Sequence, residues 1–171
     1  PCERVGEGSR LALLDLEVEV IAVPGHTRSH IAYLADDALF CGDALFSLGC
    51  GRMREGTPVQ MHASLRRMAA LPGDTRVCCG HEYTLANAAF ALAVEPDNRA
   101  LAQRRDQALQ QRQAGLPTVP STIASERACN PFLRCDQPGV RAAVATRLGR
   151  PATDEVEAFA ALRAWKDGFA G

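Results

Sequence analysis

The 171-residue sequence has few features of membrane, secreted or nucleic-acid-binding proteins. No apolar run approaches the ~18 residues of a membrane-spanning helix, so we expect no membrane association. The seven cysteines are an odd number without a C-x-x-C pair, which argues against a disulfide framework. Nineteen basic residues balance twenty acidic ones, giving no general attraction to nucleic acid. Lysine is almost absent, with Lys166 as its single occurrence.

The positions of the cysteines indicate a reducing environment. Cys41, Cys78 and Cys79 lie inside apolar runs and are predicted to be reduced and buried. No signal or transit segment is recognised, so we expect a cytoplasmic protein, and we expect it to be a monomer. Because residue 1 is Pro rather than Met, we also expect the reading frame to continue upstream.

Strand patterns dominate the first half of the sequence and helix patterns the second. Apolar runs predict strands over residues 10–14, 16–23, 31–34, 38–41 and 75–79. A capping box at Thr57–Gln60 predicts the start of a helix between the last two. Further helices are predicted over residues 85–94, 98–113 and 140–148 and from 153 onward. We predict an α/β layered domain over residues 1–83 and an α-helical domain over 84–171.

Three apolar runs end at a glycine that is followed by a histidine or an aspartate. These pairs are Gly25-His26, Gly42-Asp43 and Gly80-His81. A strand that turns sharply at glycine holds the next side chain on a rigid rim. Taken singly, each such residue is more often a hydrogen-bonded turn residue than a ligand. Together, two imidazoles and a carboxylate form a ligand set for zinc, iron or manganese, and we interpret them as half of a metal site.

Longer motifs around these residues resemble glyoxalase II, the hydroxyacylglutathione hydrolase branch of the metallo-β-lactamase superfamily. They are Pro-Gly-His-Thr at 24–27, Phe-Cys-Gly-Asp at 40–43, Gly-Cys-Gly-Arg at 49–52, Cys-Gly-His-Glu-Tyr-Thr at 79–84 and Asn-Pro-Phe-Leu-Arg at 130–134. The resemblance extends over nearly the whole chain. It implies the C-terminal part of an αββα sandwich followed by an α-helical substrate-binding domain.

The resemblance also implies an activity and a role for individual residues. The family hydrolyses S-(2-hydroxyacyl)glutathione thioesters such as S-lactoylglutathione with a hydroxide held by two divalent metal ions, zinc being favoured over iron or manganese. His26 would bind one ion and His81 the other, while Asp43 bridges both and is the catalytic residue. The metal-bound hydroxide would attack the thioester carbonyl, and glutathione would leave as a thiolate.

Four residues are implied to bind the glutathione part of the substrate: Arg52, Tyr83, Arg163 and Lys166. Glutathione carries two carboxylates, which cations and aligned donors recognise. Arg163 and Lys166 are three residues apart on the last predicted helix and should therefore face the same way. The alternative is that these two cations only complement the negative end of their helix.

One departure from the family pattern bears on activity. The family's metal-binding motif H-x-H-x-D-H is absent from this sequence. Each ion would keep one imidazole and a share of Asp43, fewer than the three protein ligands of a typical catalytic zinc. We therefore expect the 171 residues alone to bind metal weakly and to hydrolyse poorly. The alternatives are a non-catalytic remnant that binds glutathione conjugates, or another superfamily enzyme such as a persulfide dioxygenase or lactonase.

Two other histidines and one cysteine are predicted to have structural rather than catalytic roles. His30 lies four residues after His26 but is expected to make a structural hydrogen bond. His62 is predicted to be solvent-exposed, away from the apolar face of its helix. Cys50 is expected to pack within a loop rather than to act as a nucleophile, because the sequence places no activating base beside it.

Overall fold

The computed structural model describes residues 4–170. A six-stranded mixed sheet has the order β1-β2-β3-β4-β7-β8, and β5 and β6 form a separate hairpin. The strands are β1 Arg10–Leu13, β2 Leu16–Ala22, β3 Ile31–Ala35, β4 Ala38–Gly42, β5 Leu45–Phe46, β6 Gly49–Cys50, β7 Arg76–Cys79 and β8 Ser121–Thr122. β4 and β7 are parallel, and the other pairs are antiparallel.

Six α-helices accompany the sheet: α1 Pro58–Ala69, α2 Thr84–Val94, α3 Arg99–Gln113, α4 Ile123–Cys129, α5 Pro138–Leu148 and α6 Glu155–Asp167. A 3-10 helix covers Pro131–Leu133. The α/β fold class predicted from the sequence is confirmed. None of the helices in residues 4–170 combines the length and apolar character needed to cross a membrane.

Helix α1 begins where the capping box predicts. The Thr57 hydroxyl accepts a hydrogen bond from the Gln60 amide, and the Gln60 side chain accepts one from the Thr57 amide. Met61, Leu65 and Met68 then form a fully buried face. The prediction for His62 is wrong: it is 9% exposed and packs against Phe159 of α6.

The sheet and the later helices share one hydrophobic core. Its main cluster includes Leu39 and Met61 from the first half of the chain and Phe90, Phe132 and Phe159 from the second. The region after residue 83 also contributes β8, which pairs with β7. That strand was not predicted, since only Ser121 and Thr122 form it. The division at residue 83 remains a prediction about two parts that pack closely.

The cysteines behave mainly as small buried side chains. The six that lie between residues 4 and 170 are free thiols. Cys41 is fully buried, and burial raises its pKa to about 12. Cys78 and Cys79 are only half-buried, so the prediction that they are buried is wrong.

Replacing Thr57 with Ala should destabilise the protein, because one bond of the capping box is lost. We expect the free energy of unfolding to fall by about 1 kcal/mol. Thr146→Ala is the matched control, since the exposed Thr146 hydroxyl only donates to the Ala142 carbonyl within α5. It should change stability by less than about 0.5 kcal/mol. Urea denaturation measures both, and unchanged stability in Thr57→Ala would contradict the capping assignment.

Glu157 predicts a specific dependence of stability on pH. Hydrogen bonds from Arg150, and from the backbone and hydroxyl of Thr153, lower the pKa of Glu157 from 4.5 to about 2. A pKa that is lower in the folded state stabilises the fold above pH 4.5, and this contribution disappears as the pH falls towards 2. Glu157→Gln should therefore be less stable than the wild type at pH 7 and equally stable near pH 2.

Thermal unfolding between these pH values tests this expectation. Glu17→Gln is the control, because Glu17 forms a single exposed ion pair with Arg10. Such pairs contribute little, so the control should differ less from the wild type at pH 7. A stability difference for Glu157→Gln that is constant with pH would contradict the assignment.

Candidate metal centre and substrate cleft

The sheet topology brings three chain segments to one edge. β4 and β7 are parallel neighbours, so their carboxyl ends meet at the same edge. β2 is antiparallel to β3, which is antiparallel to β4, so β2 ends there as well. His26, Asp43 and His81 follow β2, β4 and β7 respectively. The structure therefore places together the three residues that the sequence singles out as metal ligands.

Asp43 lies between the two imidazoles and presents one carboxylate oxygen to each. Oδ2 is 3.5 Å from Nε2 of His26, and Oδ1 is 3.4 Å from Nε2 of His81. The side chains of His26 and Asp43 are 16% and 29% exposed, whereas that of His81 is 48% exposed. Each imidazole nitrogen therefore faces a different oxygen of the same Asp43 carboxylate.

The hydrogen bonding of His26 determines what its second nitrogen can do. Nδ1 lies 2.8 Å from the carbonyl oxygen of Arg52. Because a carbonyl only accepts, Nδ1 carries the proton in this bond, and in neutral His26 Nε2 presents a lone pair to Asp43. A lone pair and a carboxylate oxygen then face each other, an arrangement that a shared cation stabilises. Hydrogen bonding of the remote nitrogen to a carbonyl is usual for metal-binding histidines.

Glycines allow the close approach of these segments. Gly42 has a φ of 52°, in the left-handed region that disfavours side chains. At Gly80, a Cβ atom would lie 2.7 Å from Oδ1 of Asp43. The glycine before His81 therefore leaves room for the carboxylate that His81 faces.

A cleft of about 420 Å³ opens beside the three residues. All four side chains that the resemblance implies for substrate binding line it: Arg52, Tyr83, Arg163 and Lys166. The lining residues include four cations and one carboxylate, that of Asp43. The cations are Arg52, Arg54, Arg163 and Lys166. The cleft is suited to an anionic ligand.

Two of these cations come from α6. Arg163 is 4% exposed and donates to the Cys50 carbonyl oxygen at 2.9 Å and to Asp167 at 3.0 Å, while its Nε atom has no partner among the described residues. Lys166 donates to the Ala86 carbonyl oxygen of α2 at 3.0 Å. Burial, and then the neighbouring Arg163 and Arg52, lower the pKa of Lys166. Both cations contact other segments around the cleft.

The remaining predicted residues lie around the cleft and the three candidate ligands. The Tyr83 ring stacks on the His81 ring with centroids 4.9 Å apart. Arg52 is largely exposed, and its guanidinium lies 3.4 Å from Asp167. His30 contacts the Cys41 carbonyl oxygen at 3.3 Å, as expected of a structural histidine. Cys50 is buried, which raises its pKa to about 11 and agrees with a packing role.

Some cleft residues were not predicted to bind substrate from the sequence, among them Phe46, Arg54 and Asn87. Phe46 contacts both the His81 and Tyr83 rings. Its position within an apolar run resembles that of a core residue, so the sequence carries no signal of this contact. Arg54 could have been suggested by its position two residues after Arg52.

The donor types fit a pair of divalent ions bridged by a carboxylate, but their number is too small. Each ion would have one imidazole nitrogen and one oxygen of Asp43 as its ligands. Among residues 4–170, no group of three or more His, Cys, Asp or Glu side chains is arranged to hold an ion by itself. A catalytic zinc normally has three protein ligands. The three side chains would therefore supply only part of the ligands that a two-metal site requires.

Comparison with known proteins identifies a family for each part of the chain. Residues 1–81 match the metallo-β-lactamase superfamily, and residues 82–169 match the C-terminus of hydroxyacylglutathione hydrolase. Hydroxyacylglutathione hydrolase from Xanthomonas axonopodis pv. citri is 62% identical over 165 residues, which are 96% of this chain and 65% of that protein. The Xylella fastidiosa (strain M12) protein of the same name is 60% identical over 97% of this chain and 64% of its own length. The chain belongs to the hydroxyacylglutathione hydrolase family.

Solved structures support the fold. ETHE1 from Myxococcus xanthus superposes with a TM-score of 0.56 at 26% identity, covering 96% of this chain and 51% of that one. A metallo-beta-lactamase from Staphylococcus aureus superposes with the same TM-score at 19% identity. The alignment covers 96% of the present chain and 43% of that protein. The present chain thus spans about two thirds of its curated relatives and about half of these structures.

The incomplete ligand set predicts weak metal retention. After equilibration with Zn²⁺ and dialysis, the 171-residue chain should retain well under one ion per molecule, because each ion has two ligands instead of three or more. Atomic emission analysis measures the stoichiometry. Asp43→Asn and Asp106→Asn serve as site and surface variants, and only the first should reduce zinc binding at high metal concentration. Two tightly held ions per wild-type chain would contradict the account.

Proposed function

We propose that the protein to which this sequence belongs hydrolyses S-(2-hydroxyacyl)glutathione thioesters, S-lactoylglutathione among them, to a 2-hydroxy acid and glutathione. One observation carries the proposal: a carboxylate between two imidazoles lies at the rim of a basic cleft. The first feature suits metal-assisted hydrolysis, and the second suits a thioester whose leaving group is an anionic peptide. The family relationship narrows the substrate to glutathione conjugates.

In this proposal, His26 and His81 would each hold one divalent ion, and Asp43 would contribute one carboxylate oxygen to each. Zinc is the favoured metal, with iron and manganese as alternatives for the same ligands. When bound, the metals lower the pKa of water to about 7 and polarise the thioester carbonyl. The Arg52 carbonyl keeps Nε2 of His26 directed towards Asp43 by accepting the Nδ1 proton.

The cleft provides the binding energy for the glutathione part. Arg163 and Lys166 pair with its carboxylates, while Arg52 and Tyr83 bind nearer the metals. Burial lowers the pKa of Lys166, and an arriving carboxylate would oppose this shift by stabilising the charged form. S-Lactoylglutathione hydrolysis would place the protein in methylglyoxal detoxification in the cytoplasm.

A chimera tests the reaction. The N-terminal third of the Xanthomonas axonopodis relative, joined ahead of this chain, should restore thioester hydrolysis. Asp43→Asn in the chimera should lower kcat at least about 100-fold, since the bridging ligand is lost. Asp106→Asn is the control, because Asp106 lies exposed on α3 beside Arg105. Absorbance loss at the thioester band measures turnover, and a fully active Asp43→Asn chimera would refute the proposal.

A second candidate is a binding module that holds glutathione conjugates without cleaving them. It is favoured by the presence in this chain of all four proposed substrate residues but only part of the metal ligands. Calorimetry of the 171-residue chain with S-hexylglutathione, paired with the hydrolysis assay, separates the two. Another superfamily activity is less well supported, because residues 82–169 match the C-terminus of hydroxyacylglutathione hydrolase.

A further inference from the structure

The β5–β6 hairpin, residues 45–50, connects the metal centre to the helical part of the chain. It begins two residues after Asp43 and ends two residues before Arg52, whose carbonyl accepts the His26 proton. Near its start, the Phe46 ring lies 5.9 Å from the His81 ring. The hairpin thus contacts one imidazole through Phe46 and leads directly to the carbonyl that orients the other.

Buried polar side chains from the helical part hold the backbone of this hairpin. Nδ2 of Asn130 donates to the Gly49 carbonyl at 2.9 Å and to the Phe46 carbonyl at 3.3 Å. The Glu126 carboxylate accepts from the Leu48 amide at 2.8 Å and from Asn130 Nδ2 at 3.0 Å. Glu126 and Asn130 are both fully buried. The Asn130 amide group and one oxygen of Glu126 are therefore bonded to the hairpin backbone.

Two further side chains complete the set. Asn87 of α2 donates to the Ser47 carbonyl at 3.0 Å, and Arg163 of α6 donates to the Cys50 carbonyl at 2.9 Å. Every residue from 46 to 50 therefore has a backbone group bonded by a side chain from beyond residue 83. A hairpin of two-residue strands has few ladder bonds of its own, and Leu48 adopts a φ of 61°, which is strained for a residue with a side chain. Its conformation depends on these outside contacts.

We propose that Glu126 and Asn130 are positioning residues for the metal centre and cleft. By fixing the hairpin they hold the Arg52 carbonyl against Nδ1 of His26 and the Phe46 ring against His81. This role deepens the proposed hydrolase function, yet its structural step stands without metal or substrate. Loss of an outer hydrogen bond to a metal-binding histidine typically costs 10–100-fold in affinity or activity, so the effect on the site is measurable.

Asn130→Asp tests the step directly. The substitution keeps the oxygen that accepts from the Phe132 amide but replaces the donors to Phe46 and Gly49 with a carboxylate oxygen. Asn98→Asp is the matched control: Asn98 also caps a helix and donates to one carbonyl, that of Ala128, away from the hairpin. Both variants should be less stable than the wild type, but only Asn130→Asp should disturb the site.

Two measurements on the 171-residue chain read this out. In the NMR spectrum, the Nδ1 proton of His26 and the ring shifts that Phe46 causes in His81 should persist in Asn98→Asp and be lost in Asn130→Asp. Calorimetry with S-hexylglutathione should show binding weakened about tenfold in Asn130→Asp and less than about twofold in Asn98→Asp. Unchanged histidine signals in folded Asn130→Asp would overturn the proposal.

Variants of Glu126 provide a rescue test. Glu126→Gln retains an oxygen for the Leu48 and Asn130 donors and should leave the histidine signals as in the wild type, whereas Glu126→Ala should lose them.

If Asn130→Asp does not fold, Asn87→Ala removes a hairpin bond from α2 and should shift the same signals to a smaller extent. Absence of any S-hexylglutathione binding by the wild type, with the predicted histidine changes present in Asn130→Asp, would contradict the proposed substrate cleft and leave the positioning role standing.

Discussion

The Asp43 carboxylate can serve two metal ions only if two imidazoles reach it from opposite sides. This requires three chain segments, ending at residues 26, 43 and 81, to meet at one sheet edge, and the strand directions of β2, β4 and β7 provide that meeting. It also requires that no side chain intervene, which Gly80 ensures. The helices, the hairpin and the basic cleft are all arranged around this contact.

The two parts of the chain depend on each other at this site. The first part supplies the proposed metal ligands, and the second supplies Arg163 and Lys166, which line the same cleft. The second part also bonds the backbone of the β5–β6 hairpin through Asn130 and Glu126. A shared hydrophobic core, in which Met61 of the first part clusters with Phe90 and Phe132 of the second, makes relative movement of the parts costly. Binding and catalysis would therefore share one rigid frame.

Local sequence patterns predicted the fold well where the signal itself is local. The capping box identified the start of α1, and glycine before His26, Asp43 and His81 marked the strand ends that meet. The burial of His62 could not be predicted, because it depends on α6 packing across α1. The roles of Glu126 and Asn130 were equally hidden, since their partners are backbone atoms about eighty residues away. Because every residue has the same backbone atoms, a hydrogen bond to the backbone does not require a particular residue type that a sequence pattern could reveal.

Anomalous diffraction at the zinc edge, from crystals of the chain joined to the relatives' N-terminal third, tests the central claim most directly. The account predicts two peaks, each about 2.0–2.2 Å from Nε2 of one imidazole and from one oxygen of Asp43. A single peak, or peaks that Asp43 does not bridge, would contradict it.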